Sequence, residues 1–249
     1  MPYLKNQTEL FVILFEGRTA STFIAEKLNS HSLIKAHKEI LGPLRNDPPY
    51  AQIKAARKVL KRKCINSHKA VGFKTKLRVI NDPVGFAEVL HELNVKIIHM
   101  KRKNIVKTAL SEIFSNMLKK ERNNYNIYNE NHKLGTVYVD FKDFNWTLHL
   151  REDLNSKLED YVSRLNLPVL SIYYENILLD LEGTLKTIFD FIDVPYEKTS
   201  SEMVKHTNDN LREAISNFDE LKSHYLHTKY EDMFDEVTVA PENFLSLKQ

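Results

Sequence analysis

The sequence is poor in cysteine, glycine and proline, and it contains no long apolar run. Its single cysteine, Cys64, excludes a disulfide within the chain and fits a reducing compartment. Six glycines and eight prolines form no linker-like stretch, and we find no internal repeat, so one domain covering residues 1–249 is expected. The longest apolar run, Leu10–Phe15, is too short to span a bilayer.

A large excess of charge of either sign is also missing. The 36 Lys and Arg residues against 33 Asp and Glu residues give a formal charge of +3, which suits an anionic ligand but not a dedicated nucleic-acid binder. The first residues lack the basic-then-apolar pattern of a signal peptide, so we expect a soluble, cytoplasmic protein without integral membrane association. The ten histidines form no metal-binding pattern, and no metal site is predicted.

Apolar runs rich in β-branched and aromatic residues alternate along the chain with segments of helical spacing. The runs predict buried strands at Leu10–Phe15, Lys69–Lys74, Val95–Met100 and Val169–Tyr174. The other segments predict helices at Thr22–Leu28, Tyr50–Lys63, Pro83–Leu93, Ile105–Lys120, Leu148–Leu165 and Leu181–Ile192. This alternation predicts an α/β fold with a parallel sheet that is covered on both faces, and ligands beyond the carboxyl ends of its strands.

The clearest chemical signal is the turn between the first strand and the first helix. It consists of Gly17, Arg18, Thr19, Ala20, Ser21 and Thr22. Such a turn presents backbone N–H groups and the positive end of the helix dipole to an oxyanion, while its arginine and hydroxyls add donors. The second glycine and the lysine of the G-x-x-x-x-G-K-[ST] loop are missing, so nucleoside triphosphate hydrolysis is disfavoured. The structural alternative is a helix capped by Ser or Thr with Arg18 in solvent.

This turn resembles the 5′-phosphosulfate loop of sulfotransferases that use 3′-phosphoadenosine 5′-phosphosulfate (PAPS), in which R-[ST]-[GA]-[ST]-[ST] follows the first strand. The sequence is most similar to bacterial carbohydrate sulfotransferases of the trehalose-sulfating and nodulation-factor-sulfating groups. The resemblance implies a P-loop-type parallel sheet flanked by helices, with a helical C-terminal region. It also implies transfer of a sulfuryl group from PAPS to a hydroxyl of a small acceptor, a carbohydrate or glycolipid, with 3′-phosphoadenosine 5′-phosphate as product. Residues 17–22 would then bind the phosphosulfate, with Arg18 at the leaving phosphate.

Two later segments resemble the same family. Arg102-Lys103-Asn104 followed by Ser111 is similar to the pattern with which family members bind the 3′-phosphate of PAPS. Arg102 and Lys103 both remain candidates, and Arg102 is preferred because a guanidinium can bind phosphate at two points. Tyr174 opens a match to the family's Y-E-[DN]-L segment, where the tyrosine resembles an adenine contact. The alternatives are a solvated basic strand exit and an ordinary core tyrosine.

Sulfuryl transfer also needs a base for the acceptor proton and positive charge at the leaving group. Glu39 stands where the carbohydrate sulfotransferases carry H-G-E or P-x-E, so the resemblance implies that Glu39 is the base. His37 remains the alternative, because other branches use histidine and its ordinary pKa suits the task. Lys74, at a predicted strand end, is either a further catalytic cation or a lysine on the rim of the site.

Three other segments leave further alternatives open. Val137–Asp140 mimics the strand and aspartate that hold magnesium in P-loop hydrolases, which keeps a kinase-like phosphotransferase in consideration; a non-catalytic module that binds nucleotides or polyanions is a third possibility. The basic segment Lys54–Lys63 indicates an anionic acceptor, a membrane surface or, more simply, a solvated helix face. The polar stretch Glu121–Thr136 is predicted to be an acceptor-side loop. A homodimer is compatible with the sequence.

Overall fold

The computed structural model describes residues 8–61, 68–122, 135–201 and 210–238. Its backbone divides into two compact units. We call them the sheet unit, Met1–Lys101 with Lys157–Ser201, and the helical unit, Arg102–Ser156 with Glu202–Gln249. This division is not a test of the expected single domain over residues 1–249, which stays a prediction.

The sheet unit is built on a five-stranded sheet in the order β2-β3-β1-β4-β5. The strands are β1 Glu9–Leu14, β2 Ile34–His37, β3 Ala70–Thr75, β4 Lys96–Lys101 and β5 Val169–Tyr173. Every neighbouring pair is parallel, which confirms the predicted α/β fold class. The structure adds β2, which the sequence prediction missed, and shows that β5 is a partly exposed edge strand rather than a buried one, since Val169 is 39% exposed.

Helices follow most of the strands, and five of them have bounds close to those predicted. They are α1 Ser21–Asn29, α2 Pro49–Leu60, α3 Pro83–Glu92, α4 Ile105–Arg122, α5 Phe141–Arg164, α6 Tyr174–Leu179, α7 Leu181–Phe191, α8 Leu211–Ala214, α9 Phe218–Ser223 and α10 Glu231–Asp235. Short 3-10 turns lie at Gly42–Leu44 and Leu77–Val79. In the parts of the chain that the structure describes, no helix has both the length and the apolar character needed to cross a bilayer.

Helices cover both faces of the sheet, as predicted. On one face α1, α6 and α7 pack against Phe11 and Ile13 of β1. On the other, α2, α3 and the last turns of α5 pack against Val12 and Leu14. These four side chains are fully buried, so β1 is the central strand of two cores and its carboxyl end is held in place from both sides.

The position of β3 beside β1 depends on one glycine. A Cβ atom at Gly72 would lie 2.2 Å from the carbonyl oxygen of Phe11, so no larger residue fits this close approach of the two backbones. Gly72 is paired with Phe11, and in the same register Lys74 is paired with Ile13. The glycine therefore helps to set where Lys74 stands relative to the end of β1.

The helical unit has a core of its own. Side chains of α4, the first part of α5 and the short helices α8, α9 and α10 form it, among them Val106, Phe144 and Phe234. The described part of the C-terminal region is therefore helical, as predicted. Helix α5 begins earlier than predicted because the Asp140 carboxylate accepts a hydrogen bond from the Asp143 N–H at 3.0 Å, which caps the helix.

The same segment corrects the basis of the kinase-like alternative. Val137 makes only an isolated bridge to Ile215, and residues 138–140 form no strand. Asp140 is an exposed helix cap rather than an aspartate at the end of a buried strand. The predicted likeness of Val137–Asp140 to a magnesium-holding strand is therefore wrong.

Candidate functional site

The candidate residues of the sheet unit lie where β1, β2 and β3 end. The loop of residues 15–20 follows β1, β2 ends at His37 shortly before Glu39, and Lys74 is near the end of β3. After β1 the chain passes the position of β3 to form β2 at one edge of the sheet. After β4 it forms β5 at the opposite edge. Open α/β sheets bind ligands at such a point, beyond the carboxyl ends of the strands.

The loop after β1 is tightly curled. Gly17, Arg18 and Ala20 have φ angles of 94°, 57° and 60°, so three of four successive residues are in the left-handed region. Two of them carry a Cβ atom, which costs roughly 1–2 kcal/mol per residue in this conformation. Backbone strain of this kind is concentrated at ligand-binding and catalytic sites. Arg18 is half-buried, so it is not the fully solvated side chain of the structural alternative.

The start of α1 lacks the serine or threonine cap of the structural alternative. Its N-cap is Ala20, whose side chain accepts no hydrogen bond, and its first turn holds no acidic residue. The Ala20 carbonyl accepts the first helical bond, from the Ile24 N–H at 3.0 Å. The N–H groups of a first helical turn have no acceptor within the helix, and here no capping side chain replaces one. An anion is the natural complement of such a helix end.

Thr19 provides a second, independent indication of a ligand at this loop. The residue is 3% exposed, and its Oγ1 has no hydrogen-bond partner in the described part of the chain. A buried hydroxyl without a partner costs about 1–3 kcal/mol. A bound oxyanion would supply the acceptor that this hydroxyl lacks.

Lys74 is a buried cation that contacts the first turn of α1. It is 4% exposed, and its Nζ donates a hydrogen bond to Thr22 Oγ1 at 2.6 Å. The ammonium group also lies 4.9 Å from the centre of the Phe15 ring, a favourable cation–π distance. Desolvation lowers the pKa of Lys74 to about 8, although nearby Glu39 acts in the opposite direction. Lys74 is thus not a solvated rim lysine, while its catalytic role stays a prediction.

Glu39 is held between two lysines. Its Oε1 lies 3.6 Å from Lys74 Nζ and its Oε2 lies 3.3 Å from Lys76 Nζ. Lys76 also approaches the Phe15 ring, at 5.3 Å. The sequence prediction missed Lys76, although residues 74 and 76 are spaced to share one side of an extended segment. The structure therefore brings Thr22, Glu39 and Lys74 together and adds Lys76 to them.

The two other candidates in the sheet unit are half-buried. His37 is the last residue of β2 and is paired in register with Phe73. Tyr174 was predicted to end a strand, but it is the first residue of α6, directly after β5. It is not among the enclosed core residues. The base role of His37 and the adenine contact of Tyr174 stay predictions.

The remaining candidates belong to the helical unit. Arg102 is half-buried and Lys103 is exposed just before α4, and Ser111 is buried within it. Asn104 caps α4, because its Oδ1 accepts a hydrogen bond from the Lys107 N–H at 2.8 Å. Lys107 is a further buried cation, which the sequence prediction missed although it precedes Ser111 by one helical turn. Binding of a 3′-phosphate by Arg102, Lys103 or Ser111 stays a prediction.

Two predicted surface features have different outcomes. In the basic helix α2, Arg57 forms an ion pair with Glu92, and Lys61 Nζ lies 2.8 Å from the same carboxylate, as in a solvated helix face. Residues 62–63 and most of the predicted acceptor loop Glu121–Thr136 lie outside the described residues.

Within the described ranges, no three His, Cys, Asp or Glu side chains form a possible metal site, and the absence of a metal stays a prediction.

Comparison with known proteins gives similarity to solved structures alone. No protein-family model matches the sequence, and no curated protein matches it significantly. The sulfotransferase domain from the curacin biosynthetic pathway is 15% identical, with 96% of this chain and 86% of that chain covered and a TM-score of 0.48. A sulfotransferase from Alicyclobacillus acidocaldarius is 14% identical, with 92% and 96% covered and a TM-score of 0.46. Mouse sulfotransferase SULT7A1 complexed with PAP is 19% identical, with 77% and 60% covered and a TM-score of 0.45. At these values the similarity assigns neither a family nor an activity to the chain.

Proposed function

We propose that this protein is a sulfotransferase that uses PAPS and sulfates a hydroxyl of a small acceptor, a carbohydrate or glycolipid. The observation that carries the proposal is the curled loop after β1, which leads into a helix start without a capping side chain and contains the buried, unpartnered hydroxyl of Thr19. An anionic group fits this arrangement. The sequence of the loop, Arg18-Thr19-Ala20-Ser21-Thr22, resembles the phosphosulfate loop of the sulfotransferases.

In this proposal residues 17–22 hold the 5′-phosphosulfate end of the nucleotide. PAPS supplies an activated sulfuryl group together with a phosphate that leaves. Arg18 and Lys74 provide positive charge for that phosphate, and the N–H groups at the start of α1 add hydrogen bonds. Because Lys74 is anchored to Thr22, its charge is already in place before the nucleotide arrives.

Glu39 is the proposed base. Its contacts with Lys74 and Lys76 fix the carboxylate close to the cation that serves the leaving group, as a base that acts during the transfer requires. Glu39 would accept the proton of the acceptor hydroxyl. His37, the last residue of β2 and two residues before Glu39, is the alternative base.

The nucleotide's other groups are assigned by the resemblance described above. Arg102, or alternatively Lys103, and Ser111 would bind the 3′-phosphate, and Tyr174 would contact the adenine. A cytoplasmic location, the absence of a metal and of a nucleic-acid partner, and a possible homodimer complete the proposal. The kinase-like alternative is weakened because Val137–Asp140 does not form the strand on which it was based.

Ligand-induced thermal stabilisation tests the nucleotide part of the proposal. A ligand that binds only the native state, present at a concentration of about 100 times its Kd, stabilises that state by roughly 2.7 kcal/mol. Adenosine 3′,5′-bisphosphate should therefore raise the melting temperature clearly, and Mg-ATP should not. Selective stabilisation by Mg-ATP would overturn the proposal in favour of a phosphotransferase. Stabilisation by the bisphosphate without sulfate transfer to any of a panel of sugars would favour a non-catalytic binding module.

A further inference from the structure

An acidic residue opens the loop that we propose to bind an anion. Glu16 lies between β1 and Gly17, and its side chain is 1% exposed. A buried carboxylate beside an anion site opposes anion binding, because like charges repel strongly where water is excluded. If Glu16 is ionised, the proposed role of the loop requires that this negative charge be compensated.

A positive charge next to Glu16 comes from the segment after β3. Arg78 lies in the 3-10 turn Leu77–Val79, and its Nε is 3.5 Å from Oε2 of Glu16. The Arg78 side chain is 37% exposed, so it extends from the protein surface to a carboxylate that solvent barely reaches. A buried charge is tolerated when it is paired.

The turn that carries Arg78 is fixed by a buried amide. The Nε2 of Gln52 donates hydrogen bonds to the carbonyl oxygens of Val79 at 2.7 Å and Leu41 at 3.1 Å. Its Oε1 accepts one from the Asn81 N–H at 2.8 Å. Two of these bonds fix the chain just after Arg78, at Val79 and Asn81, and the third ties Gln52 itself to Leu41. The anchored turn keeps Arg78 within reach of Glu16.

We propose that Arg78 is a positioning residue for anion binding: it neutralises Glu16, so that the loop after β1 presents net positive charge to the phosphosulfate. The inference rests on the proposed function, since it assumes that this loop binds an anion. Arg78 acts through Glu16 in this account and not by contact with the nucleotide. Removal of Arg78 is therefore harmful only while Glu16 keeps its charge.

A double-mutant cycle tests this dependence. Calorimetric Kd values would be measured for adenosine 3′,5′-bisphosphate with the full-length protein and its Arg78→Ala, Glu16→Gln and doubly substituted variants. We expect Arg78→Ala to weaken binding about tenfold or more, equivalent to about 1.4 kcal/mol. Glu16→Gln should bind at least as tightly as the unsubstituted protein, and the double variant should bind within about threefold of Glu16→Gln, because Arg78 has no charge to neutralise once Glu16 is replaced. Independent effects would instead add, and the double variant would then be about tenfold weaker than Glu16→Gln.

Controls separate a charge effect from a loss of structure. Arg78→Lys keeps the charge and should lose much less affinity than Arg78→Ala. Arg57→Ala removes an arginine that is paired with Glu92 on α3 and should change nothing. Uncharged adenosine should bind all the variants alike, and the melting temperature of each variant shows that it is folded.

The outcomes distinguish this inference from the proposed function. If Arg78→Ala binds as tightly as the unsubstituted protein, or if the double variant is as weak as Arg78→Ala, the inference is overturned while the proposed function stands. If the unsubstituted protein does not bind the bisphosphate, the proposed function fails, and inorganic pyrophosphate as a second probe still reports on the charge of the loop. If neither anion binds, both are overturned.

Discussion

The Nζ of Lys74 donates a 2.6 Å hydrogen bond to Thr22 Oγ1, and this bond joins the end of β3 to the first turn of α1. Its donor is a buried ammonium group, and its acceptor belongs to the helix that the loop after β1 leads into. The same ammonium group lies 3.6 Å from Glu39. One cation thus connects the proposed anion loop to the proposed base, and several predictions depend on its charge.

Anion binding should weaken as the pH rises through about 8. Burial lowers the pKa of Lys74 to about 8, so above that pH the ligand-free protein loses the positive charge next to Thr22. We expect the affinity for adenosine 3′,5′-bisphosphate to fall between pH 7 and pH 9, by roughly tenfold for each 1.4 kcal/mol of charge interaction lost. Lys74→Met should bind weakly with little pH dependence, and an equally steep profile in this variant would assign the effect to another group.

The same pKa predicts how stability changes with pH. Because the pKa of Lys74 is near 8 in the folded protein and 10.5 is its ordinary value, the unfolded chain holds more protons between these pH values. Under linkage the contribution of Lys74 to the free energy of unfolding then rises from pH 8 toward pH 10.5. Urea unfolding at several pH values should show the free energy of unfolding of the unsubstituted protein rising relative to that of Lys74→Met over this range. A fall relative to the variant would contradict the assigned direction.

Thr19→Val should separate stability from ligand binding. Valine has nearly the shape of threonine but lacks the hydroxyl, which is buried without a partner. Removal of an unpartnered buried polar group is neutral or favourable for the ligand-free protein. The melting temperature should therefore stay the same or rise, while the affinity for the bisphosphate falls several-fold. A destabilised variant with unchanged affinity would show that Thr19 has a purely structural role.

Glu39→Gln should abolish transfer and leave nucleotide binding nearly intact. A positioned base contributes roughly 10²–10⁴-fold to a rate, so a loss in kcat of that size is expected, with the Kd of the bisphosphate almost unchanged. His37→Asn is the matched variant for the alternative base and should lose far less. The reverse order of the two variants would transfer the base role to His37, and equal loss of transfer and affinity in Glu39→Gln would remove Glu39 from catalysis.

Arg102→Ala should discriminate between nucleotides. If Arg102 binds the 3′-phosphate, its removal makes the binding of adenosine 3′,5′-bisphosphate less favourable by about 1.5–3 kcal/mol. The binding of adenosine 5′-monophosphate should be almost unaffected. Lys103→Ala tests the alternative ligand, which is the exposed neighbour, and should have a smaller effect on the bisphosphate than Arg102→Ala. Equal weakening of both nucleotides by Arg102→Ala would show that Arg102 does not bind the 3′-phosphate.

The fold was predictable where the chain has continuous apolar runs of strand length, and it was less so where short elements depend on their neighbours. The runs that became β1, β3 and β4 are buried on both faces, so their composition alone identifies them. Strand β2 was not predicted because the segment Ile34-Lys35-Ala36-His37 is short and its apolar residues alternate with polar ones. It becomes a strand because β3 offers it an edge to pair with.

The loop of the candidate site could be found from sequence, but its surroundings could not. Gly17, Arg18 and the hydroxyl residues after them are contiguous, so one short segment carries the signal. The contacts of Glu39 with Lys74 and Lys76 join residues far apart in the chain, and they exist only because β2 and β3 end side by side. The sequence also did not show that Arg18 and Ala20 are in the left-handed region and that α1 starts after an alanine, which is why a Ser or Thr cap stood as the structural alternative.

The most direct measurement of the central claim is the transfer of sulfur-labelled sulfate from PAPS to a panel of sugars and glycolipids by the purified protein. We expect label in at least one acceptor and equimolar release of 3′-phosphoadenosine 5′-phosphate, with both signals lost in Glu39→Gln. Failure of the folded protein either to bind PAPS or to label any hydroxyl compound would contradict the account.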